Sequence, residues 1–369
     1  MIENNVGFIC LYDHQWTALG NWTQHIAKSW TLKRKAQESD EFSAVCQGFE
    51  NSKKACFVGL HELTGALKYA CFCGIPKTDE KGFTTISGID CRSVFNQTLR
   101  VKYGSSLPNN NMTVEKLFQY LMVGVFVEEG WVSYDDNTGT ITDLKMGVSY
   151  KINLNDLSLL DTPWNEEYIC RTDENRNVWE ELLKVCACYD LYLMAEVTIN
   201  SETNTPQLTF KVHRIYNSRN IKLSDYNVKT KLNQNIVNRV NIRYGDSHTY
   251  YTTLYLYNDN TIGTTYDSSK VLFPPVTDTV DKETLDEALS DAYEILKENR
   301  FKDRVTIDLT SKLGSTLEDM DFSYYGELVG YNPADASSVK RLPISGITTD
   351  SSGKKVLEFG RLSEYWFLD

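Results

Sequence analysis

The sequence holds no apolar run long enough to cross a bilayer as a helix. Its nearest approach, Val114 to Val127, is broken by Glu115, Lys116 and Gln119, whereas a spanning helix needs roughly 18 or more apolar residues in succession. Met1-Ile2-Glu3-Asn4-Asn5 lacks the basic start and apolar core of a secretory leader, so synthesis and first assembly in a cytoplasm are expected. Positive charge is in short supply as well. Lys plus Arg total 38 against 50 Asp plus Glu, a formal charge of -12, and the average field repels polyanions rather than recruiting them. Neither G-x-x-x-x-G-K-[ST] nor G-x-G-x-x-G occurs, which removes the usual phosphate cradles. Histidine is scarce, and His61-Glu62 opens an H-E-x-x-H that Gly65 fails to complete, so one helix face does not offer zinc two imidazoles.

Cysteine is present but unpatterned. Nine are scattered through the chain, an odd number, which fits reduced thiols better than a disulfide framework. The pairs Cys71-Phe72-Cys73 and Cys186-Ala187-Cys188 have C-x-C spacing, and the second lies in a helical pattern where residues two apart diverge. Burial as small hydrophobes is the preferred reading over a zinc site. No catalytic, cofactor-binding or metal-binding residue is assigned.

What the chain does contain is aromatic and branched residues in short alternating runs. At 369 residues it exceeds what one core usually serves, so two or three packed units are expected. Its 22 Tyr suit strands and subunit interfaces, since each ring buries an apolar body and keeps a polar tip. The first hundred residues read as mainly β, the clearest hairpin joining Leu67 to Ile75 with Phe83 to Gly88. A polar loop, Gly104 to Asn111, then gives way to Val114, Leu117, Phe118, Leu121, Met122 and Val125, spaced to share one helix face after Thr113 as N-cap. Asn177 and Glu180 have the spacing of a capping box ahead of a second helix, followed by a strand pair, Leu191 to Val197 and Gln207 to His213, across the Asn200 to Pro206 turn. Alternation returns at Val240, Ile242 and Tyr244, and a capped amphipathic helix is expected over 281–300. The fold class is therefore α+β, mainly β, with a first β-barrel-like domain at 1–104, an α+β region at 105–234, and a second β-barrel-like domain at 235–369 carrying the 281–300 helix.

This order resembles the baseplate hub family of long-tailed bacteriophages, which includes the N-terminal structural part of tail-associated lysins. The likeness rests on the strand, Gly88-x-Asp90, short helix and Arg100 within Gly82 to Arg100; on the helix and strand of Trp179 to Val197; on Asn235-Ile236-Val237-Asn238-Arg239-Val240; and on the closing strands Gly326-Glu327-Leu328-Val329 and Val356-Leu357-Glu358-Phe359-Gly360. The resemblance implies two tail-tube-like β-barrel or sandwich domains joined by smaller α+β parts. It further implies a homotrimer whose doubled domains present six similar surfaces to a sixfold tail tube. The implied partners are the distal tail protein, the tape-measure protein and tail fibre or receptor-binding proteins. The resemblance also implies that DNA passes the lumen without specific binding, that no membrane span is involved, and that the location is the virion tail tip, assembled in the bacterial host cytoplasm.

Two alternatives belong to other classes. A cell-wall hydrolase would draw on acid pairs at Glu128-Glu129, Asp135-Asp136 or Glu166-Glu167, because glycoside hydrolysis needs two carboxyls facing each other across a substrate. Adjacent acids in polar turns are more often a solvated face. A carbohydrate-binding receptor protein would use the rings of Tyr250, Tyr251, Tyr255 and Tyr257, although alternation between a β core and an interface explains them as well.

Overall fold

Period-two burial dictates the start of the chain. In Glu41–Gln47 the residues Phe42, Ala44 and Cys46 are buried while Glu41, Ser43 and Gln47 face solvent, as a half-buried strand requires. The structure, a computed structural model, describes residues 7–19, 26–36, 38–47, 55–101, 114–135, 137–138, 140–143, 149–153, 174–189, 191–199, 206–231, 237–257, 261–271, 275–298, 304–309, 317–331 and 336–360. The chain is mainly β. It divides into two units, the first taking the described residues up to Val228 and from Thr306 to Phe359, the second those from Lys229 to Val305.

In the first unit the strands Gly7–Tyr12, Phe57–Glu62, Leu67–Cys73, Phe83–Ile89, Glu41–Gln47 and Ala27–Lys35 lie side by side in that order, all antiparallel. Ile9, Leu11, Trp30, Leu32, Val58, Leu60 and Ile86 pack as their common core. A single bridge, Phe8 to Ile26, brings the first strand to the threshold of Ala27–Lys35, so the sheet curls. No ladder seals it, and among the described residues there is no closed barrel. The expected hairpin partners differ in detail. Phe83–Ile89 pairs along its whole length with Glu41–Gln47, but with Leu67–Cys73 only at Phe72–Ile89 and Cys73–Gly88, the tight return being made by Lys77–Thr78. Alternation identifies a strand; it does not choose its neighbour.

The same sheet runs on through Val339–Asp350 and Lys355–Phe359. Val339–Asp350 is long enough to serve two partners at once: its first half pairs with Tyr324–Val329 and its second half with Ala27–Lys35 and Lys355–Phe359.

Gly88 is required where it stands. A Cβ there would lie 2.2 Å from the Cys71 sulfur and 3.0 Å from Phe42 Cβ. Gly88→Ala is expected to cost about 1–3 kcal/mol through overpacking, and Cys71→Ala in the same chain to return part of it. Urea unfolding of both single variants and the double checks this, and strictly additive losses would place the clash elsewhere.

A second core of this unit gathers the helical residues. Val114, Leu117, Phe118, Leu121, Met122 and Val125 are all at most 1% exposed. They lie on a continuous helical stretch, α over Val114–Gln119, a π turn over Tyr120–Gly124, and α again over Val125–Glu128. Thr113 and the 104–111 loop fall outside the described residues. Asn177 caps the helix Val178–Cys188, its side chain accepting from the Glu180 amide at 3.2 Å. Leu191–Ile199 and Pro206–Arg214 pair antiparallel throughout, with Ser149–Asn153 added parallel to the latter; the turn between the pair, 200–205, is not among the described residues.

The second unit is a four-stranded sheet, ordered Ile262–Gly263, Thr249–Leu256, Val237–Tyr244 and Val276–Lys282, with one helix, Leu285–Glu298. Val240, Ile242, Leu254, Leu256 and Val280 meet Ala288, Ala292 and Leu296 in its core. The helix expected from 281 starts four residues later because Asp281 and Lys282 still pair with Arg243 and Tyr244 as strand. Thr284 then caps it, accepting from the Glu287 amide at 3.3 Å and bonding the Glu287 carboxylate at 3.0 Å. Residues 299–300 are outside the description.

Candidate functional site

The side chains weighed for catalysis are occupied with structure. His61 lies on the strand Phe57–Glu62, where its neighbour Glu62 points to the opposite face. The ring bonds Tyr12 at 2.7 Å through Nε2 and the Gly65 carbonyl at 2.9 Å through Nδ1. Asp135 ends a strand and shapes the next turn, accepting from the Asn137 amide at 3.0 Å and the Thr138 hydroxyl at 2.9 Å. Those bonds, Thr138's foremost, hold its carboxyl below the usual range. Glu128 and Glu129 are exposed at a helix end, while Asp136, Glu166 and Glu167 lie outside the described residues. Cys71 and Cys186 are buried, and burial pushes the Cys186 thiol up to about 12. Among the described residues no group of three or more His, Cys, Asp or Glu is placed to hold a metal ion.

One charged cluster sits fully inside the first unit, and sequence reasoning missed it. Asp90 caps the short 3-10 helix Cys91–Phe95 by accepting from the Arg92 amide at 2.8 Å. Arg92, only 2% exposed, turns its guanidinium inward and commits all five N–H groups. Nε donates to Asp90 at 2.8 Å, Nη1 to the carbonyls of Leu193 at 3.0 Å and Ala36 at 3.4 Å, and Nη2 to the Glu38 carbonyl and to Asp40, both at 2.8 Å. The plane lies 5.3 Å over the Trp179 ring. Burial opposes the charge, but Asp90 and Asp40 outweigh it and keep the guanidinium protonated. Asp40 in turn accepts from the Lys35 amide at 2.7 Å, and burial raises its carboxyl against the pull of Arg92. Arg92 thus fastens Ala36, Glu38 and Asp40, the 3-10 helix and the strand Leu191–Ile199 to one point. The signal available in sequence was Gly88-x-Asp90 followed by an arginine two residues on. Arg100, quoted in the same motif, is exposed on the strand Thr98–Val101.

The second unit offers a surface rather than a cleft. Its sheet gives one face to the helix and carries cross-strand rows on the other: Thr277, Arg239 and Tyr255; Thr279, Asn241 and Thr253; Asp281, Arg243 and Tyr250. Tyr250 bonds Thr253 at 2.8 Å, and Thr253 donates to Asn241 at 2.9 Å. Tyr255 meets Tyr266 with centroids 5.6 Å apart, and Tyr244 meets Tyr251 edge-on at 6.2 Å. Tyr250 and Tyr251 are exposed, whereas Leu254 and Leu256, on either side of Tyr255, fill the core. At one end of the sheet, His248 holds Asp281 at 2.7 Å in a shallow depression with Gly245, Asp246, Lys282 and Glu283. These lining groups include no hydroxyl or thiol.

No protein-family model matches the chain, and no curated protein matches it in sequence. Solved structures do. A chain in the structure of the phage P2 baseplate in its activated conformation with Ca matches over 98% of this chain and 100% of its own, at a TM-score of 0.50 and 9% identity. The chain has a phage-baseplate fold. Two prophage tail proteins are also similar. The 43 kDa tail protein of prophage MuSo2 from Shewanella oneidensis gives a TM-score of 0.49 at 11% identity over 97% of both chains. The tail protein gp18 from Listeria monocytogenes EGD-e gives 0.47 at 10% identity, over 97% of this chain and 95% of its own. At 9% identity the likeness is one of fold alone.

Proposed function

We propose that the chain is a structural protein of a phage tail, the hub that closes or extends the distal end of the tail tube. The observation that carries this reading is the end-to-end fold match to a baseplate chain. In this role three copies form a ring, and the curled sheet of the first unit, nearly sealed by the Phe8–Ile26 bridge, supplies part of a tube-like wall. A threefold hub with doubled β domains meets a sixfold tube without leaving half of the partner's contacts empty. The distal tail protein and the tape-measure protein are its neighbours, and receptor-binding components attach beyond. The acidic balance, -12 overall, suits a channel through which DNA moves without sticking. Arg- and Tyr-bearing faces such as that of the second unit fit contact with other proteins, where both residue types are enriched. The role is structural rather than enzymatic.

Light scattering across a range of concentrations tests the assembly. The expected mass is three times 42.2 kDa, with the trimer binding isolated sixfold tail rings in sedimentation. A strict monomer that also ignores tail rings would overturn the hub reading.

A further inference from the structure

The second unit carries opposite charge on its two outer surfaces. Val240 and Ile242 turn inward to Ala288, Ala292 and Leu296 of the helix, so the alternate residues Arg239, Asn241 and Arg243 stand on the open side of the sheet. Arg243 is exposed and Arg239 half-buried, the Nε of Arg239 having no hydrogen-bond partner. The one acid among the cross-strand rows of that side, Asp281, is held by His248 at 2.7 Å. Among the described residues neither arginine makes a salt bridge, so neither charge is neutralised within the unit.

The helix Leu285–Glu298 shows the reverse. Glu287, Asp291 and Glu294 follow at i, i+4 and i+7, which sets them in one stripe outside the buried stripe of Ala288, Ala292 and Leu296. Glu287 and Glu294 are exposed, while Asp291 is taken by Lys282 at 2.6 Å. Seven residues of helix separate Glu287 from Glu294 by about 10 Å, and four of strand separate Arg239 from Arg243 by about 13 Å. The two spacings match to within the swing of long side chains.

We propose that these two surfaces meet between copies of the chain, the Glu287–Glu294 stripe of one second unit lying along the Arg239–Arg243 row of the next. That copies associate at all rests on the hub reading above; which surfaces touch is the addition. Two arginine faces brought together about a twofold axis would set like charges against each other. The contact is therefore head-to-tail, the kind that closes into a ring where the rotation allows it. A sheet with a helix on one face accepts another on its second face, as in layered α/β packing. Exposed Tyr250, half-buried Tyr255 and the hydroxyls of Thr277 and Thr279 give that helix rings and hydrogen bonds to lie on. Exposed charges are screened beyond about 10 Å at 0.1 M salt, so the association weakens as salt rises.

Zero-length coupling of the full-length chain tests the contact. Arg243→Lys keeps the charge and puts an amine on the row, and a carbodiimide joins an amine to a carboxylate only where the two touch. The expected product is a covalent dimer on a denaturing gel whose tryptic digest holds peptide 240–270 joined to peptide 283–297. In light scattering, Arg239→Glu with Arg243→Glu is expected to raise the dissociation constant about tenfold or more, since like charges then face each other. Adding Glu287→Arg and Glu294→Arg to that chain is expected to restore association. Should the doubly reversed chain fail to fold by circular dichroism, the coupling result decides alone. An unmutated chain that is monomeric at every concentration overturns the proposal. So does an assembly in which the 240–270 to 283–297 link does not form, one that the arginine reversal leaves unchanged, or a dissociation that the second reversal fails to repair. A trimer that survives with these surfaces apart leaves the hub reading standing on its mass and ring binding, whereas a monomer that ignores tail rings sinks both.

Discussion

Arg92→Met is expected to lower the unfolding free energy of the first unit by about 3–5 kcal/mol, because it strips from two buried carboxylates the cation that bonds them both. Asp90 and Asp40 are 2% and 9% exposed at their side chains. Neither has water to fall back on once the guanidinium is gone. The carbonyls of Ala36, Glu38 and Leu193 also lose their donor, adding unsatisfied acceptors to unpaired charge. Arg92→Lys is expected to rescue little, since an ammonium offers three donors from one point where five are used in a plane. Adding Asp40→Asn and Asp90→Asn to Arg92→Met is expected to recover part of the loss, since asparagine still caps the 3-10 helix and no bare charge remains. Urea titration followed by tryptophan fluorescence reads these differences directly, with Trp179 lying against the guanidinium as a local probe. A loss under about 1 kcal/mol for Arg92→Met would mean that water reaches the cluster.

Phe95→Ala is the second large effect, about 3–5 kcal/mol by the usual cost of emptying an aromatic site in a core. The ring closes the 3-10 helix that begins at Asp90 and has no exposed surface. It meets Phe210 edge-on with centroids 4.8 Å apart and Phe126 at 6.1 Å. Those partners come from a strand and a helix, so one cavity loosens three elements together. Phe95→Leu keeps most of the volume and is expected to cost far less. A cycle with Phe210→Ala is expected to return a coupling of about 0.5–1.5 kcal/mol, the worth of an aromatic pair beyond its buried area. Zero coupling would show that the two rings stabilise the core independently.

Strand and helix positions were largely legible because each rests on a local period. The six apolar residues from Val114 to Val125 all reached the core, and Asn177 capped the helix its spacing announced. The π turn in the first of these helices was not legible, since a 3.6-residue stripe and one widened by a single turn place the same residues inside. Pairing was legible where a short turn enforces it, as between Leu191–Ile199 and Pro206–Arg214. It was only partly legible for Phe83–Ile89, which does pair with Leu67–Cys73 at two positions but runs along its whole length beside Glu41–Gln47, some forty residues earlier, across a long loop closure that spacing does not encode. Arg92 escaped for a related reason. Its two carboxylates and three carbonyls come from separate stretches, and an arginine beside a cap reads as solvent-facing until those stretches meet.

The chain leaves the large sheet along Asn227–Lys231 and returns to it along Arg304–Asp308, and these two strands are neighbours in that sheet. Neighbouring strands stand about 4.8 Å apart. In engineering terms the second unit is a cassette, entered and left through adjacent strands of one sheet. Changes of length or sequence within it are expected to leave the ladders of that sheet in place.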